Sequence, residues 1–260
     1  MKDVGPAPVL ATGQLFGLPL DPLTMQQTCE RCEQAIVDHQ TLLLGMLNAA
    51  KVVDQRHDPR LSAALCACDL VLPDGMSVVV ASRLLGVRAP ERVAGIDLFV
   101  NLLDEAATHD HSVYLLGATA EVLQLLLERV HTRWPALQVA GSHDGYFLQD
   151  PDELARVVDD IRRTHPDMLF VGIPSPHKEI FLAEHRAVLG VPVLHGVGGS
   201  FDVLAGITRR APALLQRTGM EWSYRLVQEP RRLWRRYART NGAFVLLTVR
   251  ELTTHRRRTA

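Results

Sequence analysis

The sequence predicts an α/β fold: a mainly parallel sheet flanked by helices, carrying a basic helical C-terminal appendage. Three observations carry this reading. Short apolar runs alternate with longer helical patterns along most of the chain. Several of those runs are apolar at every position, as strands covered on both faces should be. The composition then breaks near Arg209, where acidic residues nearly vanish and arginine takes over.

Strands are expected near Leu42–Leu47, Leu70–Leu72, Ser112–Leu116, Leu137–Gly141, Met168–Gly172 and Val191–Gly196. Helices are expected near Thr24–Val37, Pro59–Ala67, Met76–Leu85, Ile96–Thr108, Thr119–Trp134, Pro151–Thr164 and Pro176–Leu189. In the last of these, Ser175 reads as the N-cap and Pro176 as the first helical residue. Residues 1–208 form the α/β core and residues 209–260 the appendage.

The chain has 260 residues, 47% hydrophobic and 22% charged, which fits a folded globular protein rather than a disordered one. Its net charge of −1 hides two unlike parts. Residues 1–208 hold 15 Lys and Arg against 26 Asp and Glu; residues 209–260 hold 13 Arg, no Lys and three acids, Glu221, Glu229 and Glu251. A basic arm on an acidic body points to an anionic partner: phosphates, a membrane surface or nucleic acid. The first residues lack the apolar stretch and cleavage site of a secretory signal, and no apolar run has the length of a membrane span. A cytoplasmic chain is therefore expected.

In parallel α/β sheets, ligands bind beyond the carboxyl ends of the strands. Four such ends carry informative residues. Leu115-Leu116-Gly117-Ala118-Thr119 is a strand, a glycine and a helix start. Gly172-Ile173-Pro174-Ser175-Pro176-His177-Lys178-Glu179 ends another strand, and its free backbone N–H groups, with Lys178 in the first helical turn, suit an anion. In His195-Gly196-Val197-Gly198-Gly199-Ser200-Phe201-Asp202, glycines allow close backbone approach to a ligand, and Asp202 offers a hydrogen-bond partner for a base or ribose. For each of these the alternative is a tight turn. The fourth, Leu72-Pro73-Asp74-Gly75, puts a carboxylate just past a buried strand. Asp74 is a candidate general base, or else the first residue of an Asp-Gly turn bonded to the backbone that follows. Asn48 and Arg92 add a polar donor and a cation.

Other chemistries lack their signatures. There is no G-x-G-x-x-G at a strand–helix junction, no phosphate-binding P-loop, no His-Glu-x-x-His and no nucleophile elbow. Asp150-Pro151-Asp152 reads as a helix cap rather than a metal motif. Cys29-x-x-Cys32 and Cys66-x-Cys68 could sketch a zinc site, but the first lies within a helical pattern, so reduced thiols are expected. His109 and His111 flank a loop and read as solvated.

In order and spacing the motifs resemble the bacterial WecG/TagA/CpsF glycosyltransferase family. The resemblance runs from Gly17-Leu18-Pro19-Leu20-Asp21 through Leu47-Asn48-Ala49, Ala67-Cys68-Asp69-Leu70-Val71-Leu72-Pro73-Asp74-Gly75, Glu91-Arg92-Val93-Ala94-Gly95 and Gly145-Tyr146-Phe147. It continues through the strand ends at Gly117, Gly172 and Gly196 to Arg210-Ala211-Pro212, Glu221-Trp222-Ser223-Tyr224-Arg225-Leu226 and Glu229-Pro230-Arg231-Arg232.

The resemblance implies a Rossmann-like core and an inverting, metal-independent enzyme without a cofactor. Such an enzyme moves a sugar from a UDP-sugar to a polyprenyl-diphosphate-linked sugar at the cytoplasmic membrane face, in bacterial cell-wall or exopolysaccharide synthesis. By motif position Asp74 would be the base, with Asn48 and Arg92 lining its pocket. Gly117, Tyr146, Gly172, Ser175, Pro176, Lys178, Glu179, Gly198, Gly199 and Asp202 would hold the donor side. Arg225, Arg231 and Arg232 would reach diphosphate. Two departures stand out: Met46 where the family often has Thr, and Lys178 where it often has Gln. A lysine neutralises diphosphate where Gln only hydrogen-bonds, so the donor sugar is left open among an N-acetylhexosamine, a hexose and a hexuronic acid.

In the appendage, Trp222, Leu226, Val227, Leu233, Trp234 and Tyr237 recur at helical spacing, with arginines on the other face. This reads as a helix lying on an anionic membrane surface, or as a docked helix with a solvated face. The chain would then be peripheral on the inner face of the cell membrane, with room for a homo-oligomer and no role for nucleic acid. The competing readings are a nucleic-acid-binding regulator using the arginine arm and a nucleotide-sugar oxidoreductase, which lacks its dinucleotide fingerprint.

Overall fold

A computed structural model of the chain describes residues 13–212, 215, 221–228 and 230–259. It opens with a hairpin of β1 (Gly13–Leu15) and β2 (Leu18–Leu20), which the sequence reading missed. Three-residue strands carry no readable periodicity. The turn residues Phe16 and Gly17 both have positive φ, the geometry a two-residue hairpin needs.

The main sheet is parallel throughout, six strands in the order β4-β3-β8-β7-β5-β6. These are β3 (Leu42–Leu47), β4 (Leu70–Pro73), β5 (Ser112–Gly117), β6 (Gln138–His143), β7 (Met168–Gly172) and β8 (Val193–Gly196). The expected α/β, Rossmann-like fold is thus present. β8 begins two residues later than expected, because Pro192 has no N–H to give the ladder; its carbonyl accepts from Leu42 instead. β6 is shifted towards the polar Ser142 and His143, since an edge strand needs no continuous apolar run.

Between the strands lie α1 (Met25–Val37), α2 (Ala49–Asp54), α3 (Pro59–Cys66), α4 (Met76–Leu84), α5 (Gly95–Thr108), α6 (Ala120–Arg133), α7 (Pro151–Thr164), α8 (His177–Leu189) and α9 (Ser200–Leu204). The short α2 and α9 also escaped the sequence reading. Side chains fix many helix starts: Thr24 forms a capping box with Gln27, while Asp58, Thr119 and Asp150 accept from first-turn N–H groups. Asp150 is therefore the cap that the sequence indicated.

Alternate strand residues feed two different cores. Leu42, Leu44, Leu115 and Phe170 face α1, α5 and α6, whereas Leu43, Leu116, Leu169 and Leu194 face α7 and α8. A third cluster joins the hairpin to α2, α3 and α4 beside β4. Asp21 fastens the hairpin there: its N–H donates to the Val71 carbonyl at 2.8 Å and its Oδ2 accepts from the Val71 N–H at 2.7 Å.

The appendage contributes α10 (Glu221–Gln228) and one long helix, α11 (Pro230–Thr259). The middle of α11 is docked. Phe244 is buried against Phe16 edge-on, Thr240 is buried, and Arg239 reaches Asp54 of α2 at 3.3 Å. The same helix leaves Trp234, Val245, Leu246 and Val249 exposed. No helix among the described residues is long and apolar enough to cross a membrane.

Replacing Asp21 by Ala should strand the buried Val71 N–H and cost about 1–3 kcal/mol of stability. Urea unfolding measures this. Asp21→Asn, which keeps an acceptor oxygen for the Val71 N–H, should recover most of that loss.

Candidate active site

The carboxyl ends of β3 and β4 bring together three elements around one carboxylate. Asp74 follows β4, and its own N–H donates to the Leu47 carbonyl at 2.9 Å, tying it to the end of β3. Its Oδ1 accepts from the Gly95 N–H at 3.0 Å, and its Oδ2 accepts from the Asn48 amide nitrogen at 3.2 Å. These partners are 21 and 26 residues away. The carboxylate is thus held by distant elements and not by the backbone of its own Asp-Gly turn.

Asn48 has two tasks. Its Oδ1 caps α2 by accepting from the Lys51 N–H at 3.2 Å. That cap fixes the amide so that its nitrogen faces Asp74. Arg92 lies on the loop that crosses Asp74, where the Val93 N–H donates to the Pro73 carbonyl at 3.0 Å. The Arg92 guanidinium is mostly buried, 3.2 Å from Glu221 of α10 and 3.8 Å from Asp97, which also binds Arg210. The appendage therefore reaches the site through Glu221 and Arg210.

Behind Asp74 is a buried charge cluster that the sequence reading only half saw. Glu179 accepts from Lys51 Nζ at 2.7 Å and from Lys178 Nζ, and all three side chains are less than a tenth exposed. Lys51 Nζ also donates to the Met46 carbonyl at 2.6 Å. Burial, helped by Lys51, pushes the Lys178 ammonium down to about 8. Burial pushes the Glu179 carboxyl up, but the two lysines overcome it and hold it well below the usual carboxylate range. The two ammonium groups thus lie between Glu179 and Asp74, close to the strand ends.

His195 is a second residue missed by the sequence reading. It is fully buried in β8, and its Nε2 donates to the Gly95 carbonyl at 3.1 Å, which fixes the tautomer. Burial keeps the ring neutral, pushing it down to about 4. Gly95, which holds Asp74, is thus itself held from below. Neither Lys51 nor His195 carries a readable signal, since one follows an Asn-Ala-Ala stretch and the other lies within an apolar strand.

The remaining residues line the other strand ends. Gly117 has φ +135°, and a Cβ there would fall 2.5 Å from the Gly172 backbone; Gly172 in turn packs on Phe201. For these two, close packing is the immediate reason for glycine. Gly198 has φ +55°, and its N–H donates to the Val171 carbonyl, placing the Gly198–Gly199 turn above the Lys178 stem. Asp202, in α9, is half-buried. Tyr146 is exposed on a loop drawn over the end of β5 by the Gly145 N–H to Ala118 carbonyl bond.

One expectation needs correction, and the two departures from the family pattern find their places. Ser175 is not the N-cap: it is an exposed turn residue, and the helical ladder starts at Pro176, whose carbonyl accepts from Ile180 N–H. Pro176 is the cap and His177 the first helical residue. Met46 does not line the crevice: its side chain is buried in the core against Gly95, and only its carbonyl serves the site, through Lys51. Lys178 does not stand free at the helix start, because Glu179 engages it. The side chains of Arg225, Arg231 and Arg232 lie outside the described residues.

A family model described as "Glycosyl transferase WecG/TagA/CpsF family" matches residues 13–258. The chain belongs to this family. Two relatives, from Bacillus spizizenii (strain ATCC 23059 / NRRL B-14472 / W23) and Bacillus subtilis (strain 168), both carry the name N-acetylglucosaminyldiphosphoundecaprenol N-acetyl-beta-D-mannosaminyltransferase. The first is 41% identical over 179 residues, 69% of this chain and 68% of the relative. The second is 38% identical over 172 residues, 66% of this chain and 65% of the relative. The aligned stretch thus spans about two thirds of these relatives. Membership makes the chain a glycosyltransferase and decides against the regulator and oxidoreductase readings.

Proposed function

We propose that this glycosyltransferase moves a sugar from a UDP-sugar to a polyprenyl-diphosphate-linked sugar, by direct displacement and without a metal ion. The acceptor class follows the relatives' names. The observation that carries the mechanism is the clamped carboxylate of Asp74, with both oxygens oriented by Gly95 and Asn48. In this reading Asp74 takes the proton of the acceptor hydroxyl. That oxygen bonds to the anomeric carbon while the bond from this carbon to the β-phosphate oxygen breaks, and UDP leaves with the electron pair.

The departing diphosphate needs positive charge. Support comes from the Lys51 and Lys178 ammonium groups, from Arg92 and from the amino end of α8. The nucleotide would lie over β7, β5 and β6, past Gly172, Gly117 and Tyr146. β7 and β4 are three strand spacings apart, about 14 Å, a span that a nucleotide-diphosphate sugar can bridge. Lys178 in place of Gln keeps the donor open among an N-acetylhexosamine, a hexose and a hexuronic acid. We also propose that α11 lies on an anionic membrane, its arginines at phosphate level and its exposed Val245, Leu246 and Val249 towards the acyl region.

Two outcomes follow. Asp74→Asn should lower turnover by about 10²- to 10⁴-fold, the usual weight of a general base, while UDP still binds by calorimetry; undiminished turnover removes Asp74 from this role. Anionic vesicles should sediment the intact protein in a salt-sensitive way, and a chain ending at Thr208 should lose this. Equal sedimentation of the shortened chain contradicts the membrane assignment.

A further inference from the structure

Before the amino end of β5, at the opposite end of the strands from Asp74, three metal-ligating side chains converge and a fourth stands beside them. His109 is the C-cap of α5, and His111 stands two residues on, just before β5. Asp110 between them has φ +57°, which turns both imidazoles towards α1. There Glu33 meets them with a single oxygen: its Oε2 is 2.7 Å from His111 Nε2 and 3.7 Å from His109 Nδ1. Glu105, one turn before His109, lies 3.4 Å from the same Nδ1. Donor atoms of Glu33, His109 and His111 all fall within 4.8 Å of one another. His111, expected from the sequence to be solvated, is only 15% exposed.

Tetrahedral zinc with ligand bonds near 2.0–2.1 Å separates its ligand atoms by about 3.3 Å. The separations of 2.7, 3.4 and 3.7 Å along the chain His111–Glu33–His109–Glu105 bracket that value. Two imidazoles and two carboxylates form a donor set suited to zinc. The electrostatics agree. Both carboxylates approach the His109 ring at the C-terminal end of α5, where the helix dipole also favours a cation. We propose that Glu33, His109 and His111, with Glu105 as fourth ligand, form a zinc site that pins α1 to the α5–β5 corner. α5 has 14 residues, so the site lies about 20 Å from Gly95 at the other end of the helix. It is therefore a stabilising site and takes no part in sugar transfer.

The test is calorimetric titration of zinc chloride into the metal-stripped full-length protein, kept reduced. The expected result is one zinc per chain with micromolar or tighter affinity, and a raised melting temperature. His109→Ala and His111→Ala should each weaken binding at least about tenfold, the loss seen even for outer-shell partners, with transferase activity unchanged. His109 is 44% exposed and its variant should fold; circular dichroism checks both variants, and the His109 variant carries the test alone if His111→Ala does not fold. Cys29→Ser and the double change Cys66→Ser, Cys68→Ser should bind zinc as the unaltered protein does. No saturable binding, full affinity in both histidine variants, or loss of binding in either cysteine variant would overturn the proposal.

Discussion

The clamp on Asp74 is the constraint on which the rest of the site depends. A carboxylate at a strand end is free to rotate unless both oxygens are held, and here each oxygen has its own donor. One donor is the first N–H of α5, and the other is an amide whose orientation is set by capping α2. An Asp at position 48 could cap equally well but could donate nothing. The clamp thus requires β3 and β4 as parallel neighbours, α2 started by Asn48, and α5 entering across the strand ends.

Electrostatics tie the body to the appendage. At the strand ends two buried lysines stand beside Glu179 and Asp74, in a core region that is acidic overall. Glu221 and Arg210 interlock with Arg92 and Asp97, so the appendage is coupled to the loop that carries the Asp74 clamp. α11 docks through Thr240 and Phe244 and also exposes an apolar strip.

Much of the fold was legible because its signals are local. Continuous apolar runs gave the inner strands of the parallel sheet, β6 at the edge being found with shifted bounds, and Thr24, Asp58, Thr119 and Asp150 are side chains that cap helices by proximity in sequence. The hairpin, α2 and α9 are too short to show a period. In the site, Asp74, Asn48 and Arg92 were legible from position and motif, and the structure brings them to one strand-end region. Lys51 and His195 were not, because their roles arise from contacts with Glu179 and Gly95, more than 90 residues away. The Ser175 cap failed for a related reason: Ser-Pro ahead of a helix is the pattern of a cap, but the turn places the ladder one residue later. Met46 shows the limit of reading a departure from a motif. Its side chain faces the core, and the site uses only its carbonyl.

A clamped base driving a single displacement inverts the anomeric carbon. The anomeric configuration of the transferred sugar, read from the proton coupling at the new linkage by NMR, tests it most directly. Inversion relative to the UDP-sugar is the result the account predicts. Retention would require either a covalent sugar–enzyme intermediate or front-face attack, and would contradict it.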